Sequence, residues 1–298
     1  MKNIKDTKSN NKKNNRSLYK IFIYIALITL AVSIIVPVLW VFMASLKSNS
    51  EFVGKDINPF AFPKELIWEN FNVAFGKAKM GEYLLNSVIV TTMALVILLL
   101  VALPASYCLA RFEFKGKKFL SAGFMAGLFI NVNYIVVPIF LMLSATNRML
   151  DVKFFLNNRF ILALVYASTH LPFTIYLLSG YFKTLPKAYE EAALIDGCGY
   201  FKTMLKIMIP MARPSIITVI LFNFLAFWNE YIISFTLMTT TNKTLPVGLQ
   251  NLMAVEKTAT NYGIMYAGLV IVMLPTLILY ILVQKKLTQG MSLGGLKD

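Results

Sequence analysis

A single histidine and two cysteines are all that 298 residues offer toward soft-metal or thiol chemistry. His170 stands alone, so a multi-histidine metal site is excluded within this chain. Cys108 lies in an apolar run and Cys198 in a predicted cytoplasmic segment, and no disulfide framework follows from such a pair. Charge is scarce as well. Asp, Glu, Lys and Arg make up 14% of the chain, about half the share of a soluble domain. No nucleophile–base pair or metal cluster stands out to point to a membrane enzyme. The phosphate-cradling pattern G-x-x-x-x-G-K-S/T is absent, so the chain encodes no loop of that type.

What the sequence has in abundance is apolar length: 57% of its residues are hydrophobic. Apolar segments fall at 21–46, 84–110, 119–144, 160–180, 214–238 and 264–283. Each approaches or exceeds the roughly 20 residues that cross a bilayer as a helix. Helices keep every backbone amide paired in lipid, so the expected fold is all-α, with six transmembrane helices. Pro37, Pro104, Pro138, Pro172 and Pro275 inside these runs read as kinks that membrane helices tolerate. No internal repeat is visible.

The net charge of +15 is concentrated in places that argue against nucleic acid. Residues 1–20 carry Lys2, Lys5, Lys8, Lys12, Lys13, Arg16 and Lys20 among Asn and Ser, without the aromatics that stack on bases. This segment is expected to be a disordered cytoplasmic tail lying against anionic lipid. The run 21–46 is too long for a signal-peptide core of about 7–15 residues, and it reads as a retained anchor. With the N-terminus inside, segments 1–20, 111–118, 181–213 and 284–298 hold nineteen basic residues, against ten in 47–83, 145–159 and 239–263. Both termini are therefore expected in the cytoplasm. The domain is 21–283, the last 15 residues forming a cytoplasmic tail. The outer segment 47–83 carries balanced charge and Trp68, and is expected to be a small lid or an interfacial helix.

The inner segment 181–213 looks structured. Pro186 fits a helix start, and Glu190 and Glu191 fall near its positive end. Gly197 and Gly199 permit left-handed backbone and a sharp stop. A second short helix with Phe201, Met204, Leu205 and Met208 follows, with Lys202 and Lys206 as a basic stripe. Pattern alone leaves two readings open: an amphipathic hairpin resting on lipid, and a plug for another protein, with Ala192 and Ala193 small enough for close approach.

The string itself resembles the EAA loop of ABC importer permeases. Glu191-Ala192-Ala193 is followed after three residues by Gly197, and after nine more by Ile207, with Ile209-Pro210 closing the pattern. Ile209 stands where the family usually has leucine, and Cys198-Gly199 where it usually has alanine-serine. The likeness extends to Asn86-Ser87, Ala105-Ser106-Tyr107, Leu109-Ala110-Arg111-Phe112, Trp228-Asn229-Glu230-Tyr231, Thr244 to Leu249 and the tail from Gln284 to Lys297. It is similar to the carbohydrate-uptake branch, the maltose-type (MalG-like) group in particular. The resemblance implies a type I ABC importer permease fold in a bacterial cell membrane. It implies a second homologous permease subunit, an ABC ATPase dimer that carries ATP and Mg, and an extracellular or periplasmic solute-binding protein; this chain would hold no cofactor. Coupling to the ATPase would fall to Glu191, Ala192, Ala193, Asp196, Gly197, Ile207 and Pro210. The outer loop with Thr244, Leu245, Pro246 and Gly248 would touch the binding protein.

Polar groups inside the crossings are the candidates for the pathway: Asn131, His170, Asn223, Trp228, Asn229 and Glu230. The asparagines are equally read as interhelical glue. Scarce buried charge fits a neutral polyhydroxyl cargo. An ion-coupled secondary transporter and a non-transporting scaffold are the alternatives, and one Glu with one His makes a poor proton relay.

Overall fold

The chain, described here from a computed structural model, is built of helices and contains no strand among the described residues. The backbone is described over residues 3–53, 58, 60–259 and 261–295, and side chains over 20–53, 58, 60–254, 261–282 and 284. Among the described residues five helices are long and apolar enough to cross a membrane, and the bent pair Tyr200–Met211 with Arg213–Trp228 brings the number to six if it counts as one span. The chain divides into two compact units, Met1–Ala74 with Glu256–Val270, and Phe75–Val255 with Ile271–Asp298.

In the first unit, α1 (Asn3–Ala44) carries the first crossing. The segment expected as a disordered tail is helical from Asn3, because the apolar run beyond it already supplies the costly helix nucleus. Beyond α1 the chain turns into the short helix α2 (Glu69–Asn72). Asn70 is buried and clamps this turn, its Nδ2 donating to the carbonyls of Ser45 at 2.9 Å and Lys47 at 3.0 Å. The backbone N–H groups of Ser48 and Lys64 both donate to the Glu51 carboxylate, at 3.1 and 3.2 Å.

The second unit is organised around α3 (Met80–Arg111) and α6 (Arg159–Thr184). Small residues at their contact, Ala94 and Ala102 on one side and Ala163 and Ala167 on the other, let the two backbones approach. Val90 and Leu98 pack there against Leu162 and Tyr166. Nearer the other end, Tyr107 and Leu109 meet Ile175, Leu178 and Phe182.

Two expected crossings are interrupted. Where one run was expected over 119–144, the structure has α4 (Lys117–Gly127) and α5 (Val132–Met149). Three successive tightened turns at Leu128, Phe129 and Ile130 close α4. The Asn131 side chain then accepts from Asn133 N–H at 2.9 Å and starts α5. The break sits where Gly127 lies flat on the ring of Pro172, with no room for a side chain.

The expected crossing 214–238 is α10 (Arg213–Trp228) followed by α11 (Ile232–Leu237), and α10 is bent by 75° from the helical stretch Tyr200–Met211. The expected outer loop is largely α12 (Leu245–Ala259), and α13 (Tyr262–Gly295) continues helical through residues expected as a tail.

Candidate functional site

The hairpin between α6 and α10 is built as a rigid insert. Its first helix, α7 (Ala188–Ile195), places Glu190 and Glu191 in the first turn. Asp196 ends it, and Gly197 follows at φ +73°. The Cys198 N–H donates to Ala193 C=O at 2.8 Å, and the Gly197 N–H to Leu194 C=O at 3.1 Å. This is the Schellman arrangement, which needs a left-handed residue at the position Gly197 fills. Gly199, in contrast, is extended (φ −68°, ψ 161°), so its place in the turn does not demand glycine. The returning strand of the hairpin is helical throughout: α8 (Tyr200–Thr203), a π-helical turn over Met204–Met208, and α9 (Ile209–Met211).

The back of the hairpin is fastened to α3. Tyr107 donates its hydroxyl proton to Glu190 Oε1 at 2.8 Å, and Arg111 Nε lies 3.4 Å from Glu190 Oε2. Arg111 also donates to the Leu185 carbonyl at 2.7 Å. Edge-on aromatic contacts link Tyr107 to Phe182 and Phe112 to Tyr200. Ala193, Met204 and Met208 are buried beneath it.

This divides the residues expected to meet the ATPase. Glu191, Ala192, Asp196, Gly197 and Pro210 are exposed, and Ile207 is half-buried. Ala193 is 2% exposed, so its small size serves the packing of this chain and not the approach of another. The sequence reading missed Glu190 as the anchor and missed the tip. Leu194, Ile195, Tyr200 and Phe201 are 67%, 86%, 73% and 71% exposed, an apolar surface that this chain covers only where Phe112 meets the edge of Tyr200. The available signal was arithmetic: the hairpin holds more large apolar residues than one buried face needs.

The pathway candidates scatter. His170 borders a cavity of about 370 Å³, with Thr169 and Phe173 beside it, the α4–α5 break across from it and Phe222 of α10 closing a side. Asn131 is exposed within that break. Asn223 is buried behind, its Nδ2 donating to Thr174 Oγ1 at 3.0 Å and to Val219 C=O at 2.9 Å, which makes it glue between α10 and α6. Trp228 is corrected: it is buried, stacked on Phe224 and donates to Val272 C=O at 3.3 Å. Glu230 is half-buried and has partners in this chain. Its carboxylate accepts from Tyr166 Oη at 2.8 Å and from the N–H groups of Ile233 at 2.7 Å and Ser234 at 3.0 Å, capping α11. Asn229 is exposed at the break, bonded to the Leu225 carbonyl.

The outer residues expected to touch a binding protein are mostly turned inward. Thr244, Leu245 and Gly248 are buried and Pro246 half-buried. The Leu245 N–H donates to Ser87 Oγ at 2.8 Å, Asn86 Nδ2 donates to Lys243 C=O at 3.0 Å, and Thr244 and Ser234 share a 2.7 Å hydroxyl contact. The Asn86-Ser87 pair at the start of α3 thus holds the entry to α12.

A polytopic helical bundle with a fastened, apolar-tipped hairpin defines a class of membrane transport component. Residues 102–292 match the family described as binding-protein-dependent transport system inner membrane component, and the chain belongs to that family. It is 36% identical to the diacetylchitobiose uptake system permease protein NgcG of Streptomyces coelicolor, over 90% of this chain and 86% of that one. It is 30% identical to the permease protein DasC of the same organism, over 95% and 99%. Its fold matches, with a TM-score of 0.76 and 21% identity, a chain in the crystal structure of a bacterial ABC transporter involved in import of the polysaccharide alginate, covering 90% of this chain and 96% of that one.

Proposed function

We propose that this chain forms one half of the translocation pathway of an ATP-driven importer for a sugar, an oligosaccharide in particular. A second, homologous permease subunit completes the pathway. A separate ATPase dimer binds ATP and Mg, and a solute-binding protein delivers cargo from outside. Both termini and the hairpin lie in the cytoplasm, in keeping with the nineteen-to-ten bias of basic residues.

The observation that carries this reading is the hairpin. A rigid turn at Gly197 presents an apolar tip, while the other side is bonded to α3 through Glu190. Exposed apolar surface of this kind marks a contact with another protein or with lipid, and the family match to a binding-protein-dependent transport component favours a protein. Force applied at Leu194, Ile195, Tyr200 and Phe201 passes through Glu190, Tyr107 and Arg111 into α3, which is packed on α6. ATP-driven closure of the ATPase pair then rocks the bundle between inward-open and outward-open states. The cargo class is supported by the named relatives.

Two substitutions test it. Gly197→Asp puts a side chain and a charge at φ +73°, and Ile195→Asp puts a charge on the exposed tip without touching the core. Both chains are expected in the membrane at normal levels, with uptake abolished and the ATPase no longer retained on purification. Full uptake by either one, inserted normally, sinks the coupling reading.

A further inference from the structure

Outside the hairpin, the same end of the bundle carries a second feature. A groove of about 160 Å³ runs between α4 and α6 beside Leu109 of α3. Phe124, Met125 and Ile175 give it apolar walls, Ser121 and Ser179 add hydroxyls, and Lys183 stands on its border. Gly180 lines it, and a Cβ there would meet nothing within 4 Å, so the space beside this residue is empty. Glycine within a helix costs about 1 kcal/mol relative to alanine, and at Gly180 no close neighbour demands the missing side chain.

Charge gathers beside this groove. Lys117 donates to Glu113 Oε1 at 2.7 Å. Lys118 and Lys183 lie close enough to act on the same carboxylate, which Lys117 above all holds below the ordinary carboxylate range. Lys117 alone is paired with Glu113, so Lys118 and Lys183 leave this corner with an excess positive charge. Large apolar side chains beside it, Phe119 at 83% and Tyr176 at 54% exposed, face outward as they do at a lipid headgroup boundary.

We propose that this groove binds one anionic phospholipid of the cytoplasmic leaflet, with the phosphate between Lys118 and Lys183 and a length of acyl chain along Phe124, Met125 and Ile175. Charge complementarity selects an anionic headgroup, because basic pockets between helices on the cytoplasmic side attract such lipids. The apolar walls select a lipid over a free phosphate. The groove is too small for a whole lipid and takes one chain, leaving the rest in the bilayer. The inference rests on membrane embedding and on the orientation proposed above, and it does not depend on ATPase coupling.

The test uses the assembled transporter, purified in mild detergent and titrated with phosphatidylglycerol or phosphatidylcholine under native mass spectrometry. One tightly retained phosphatidylglycerol per chain is expected, with phosphatidylcholine at least tenfold weaker. Lys118→Gln with Lys183→Gln should weaken retention of phosphatidylglycerol about tenfold. Gly180→Leu leaves every charge in place and favours helix, yet it should weaken retention comparably by filling the groove. Glycerophosphate in excess should not displace the lipid. Retention unchanged by Gly180→Leu, equal binding of the two lipids, displacement by glycerophosphate, or a photo-reactive lipid excluded from the groove by a partner protein would each overturn the proposal.

Discussion

The hydroxyl of Tyr107 donates a 2.8 Å hydrogen bond to the carboxylate of Glu190, 83 residues further along the chain. This bond and the Arg111 ion pair at 3.4 Å join the inner end of α3 to the first turn of the hairpin. Glu191, the residue singled out by the motif, is exposed and takes no part in that junction. The two neighbouring carboxylates therefore have separate duties.

Glu190→Gln should cost about 1–3 kcal/mol, because it leaves the guanidinium of Arg111, 6% exposed, without its counter-charge. Glu191→Gln should stay within about 0.5 kcal/mol, as surface changes generally do. A double-mutant cycle of Tyr107→Phe with Glu190→Gln should show coupling of about 1 kcal/mol. Thermal melting of the purified chain and hydrogen exchange over 188–198 read both. Equal effects of the two glutamine substitutions would show that the anchor is not where the geometry has it.

The outer end is held by a comparable long-range bond. Ser87→Ala removes the acceptor for the Leu245 N–H, and Leu245 is fully buried. A buried amide left unpaired costs about 1–3 kcal/mol. The variant should melt several degrees lower and exchange amides faster at the start of α12. Asn86→Ala, which loses the bond to the Lys243 carbonyl, should act in the same direction and less than additively with it.

The architecture was legible because lipid leaves few choices. Long apolar runs must be helices there, and the spacing around Gly197 announces a left-handed stop that the structure contains. What escaped depends on contacts between distant residues. The break after Gly127 lies against the Pro172 ring, 45 positions away in sequence, a contact that no local pattern announces, although Asn131 is a local start signal for α5. The polar composition of 239–262 reads as a loop, yet Ser87, Asn86 and Ser234 supply the bonds that hold α12 in place. Trp228 and Glu230 were polar groups in an apolar run, which is the signature of a pathway residue and of a cap or packing group alike. Only their partners, Val272 and the N–H groups opening α11, separate those roles.

The Glu51 site gives a pH dependence with a definite sign. Burial pushes its carboxyl up, but the N–H groups of Ser48 and Lys64, the Ser48 hydroxyl and the charge of Lys47 together hold it below its ordinary value. A carboxyl depressed in the folded state stabilises the fold above its unfolded pKa, and that stability is lost as pH falls through the folded pKa. The backbone N–H groups of Ser48 and Lys64 should therefore stay protected from exchange at neutral pH and lose that protection as pH falls below the ordinary glutamate range. Glu51→Gln should flatten that profile. An unchanged profile would mean that the three donors do not hold this loop.

Gly248 sets two effects of opposite sign against each other. It lies within α12, where alanine in place of glycine favours helix by about 1 kcal/mol. A Cβ at this position would enter the ring of Tyr83, overlapping Cδ2 and Cγ near the root of that side chain. Those atoms cannot swing away as a chain end can, so the ring or the backbone of α12 must shift. Overpacking of this kind costs about 1–3 kcal/mol, which outweighs the gain in propensity. Gly248→Ala should therefore lower stability, and Tyr83→Ala should reverse most of that loss in the double variant, because the space is then free. If Gly248→Ala stabilises the protein by itself, the contact between α12 and α3 is looser than the geometry requires.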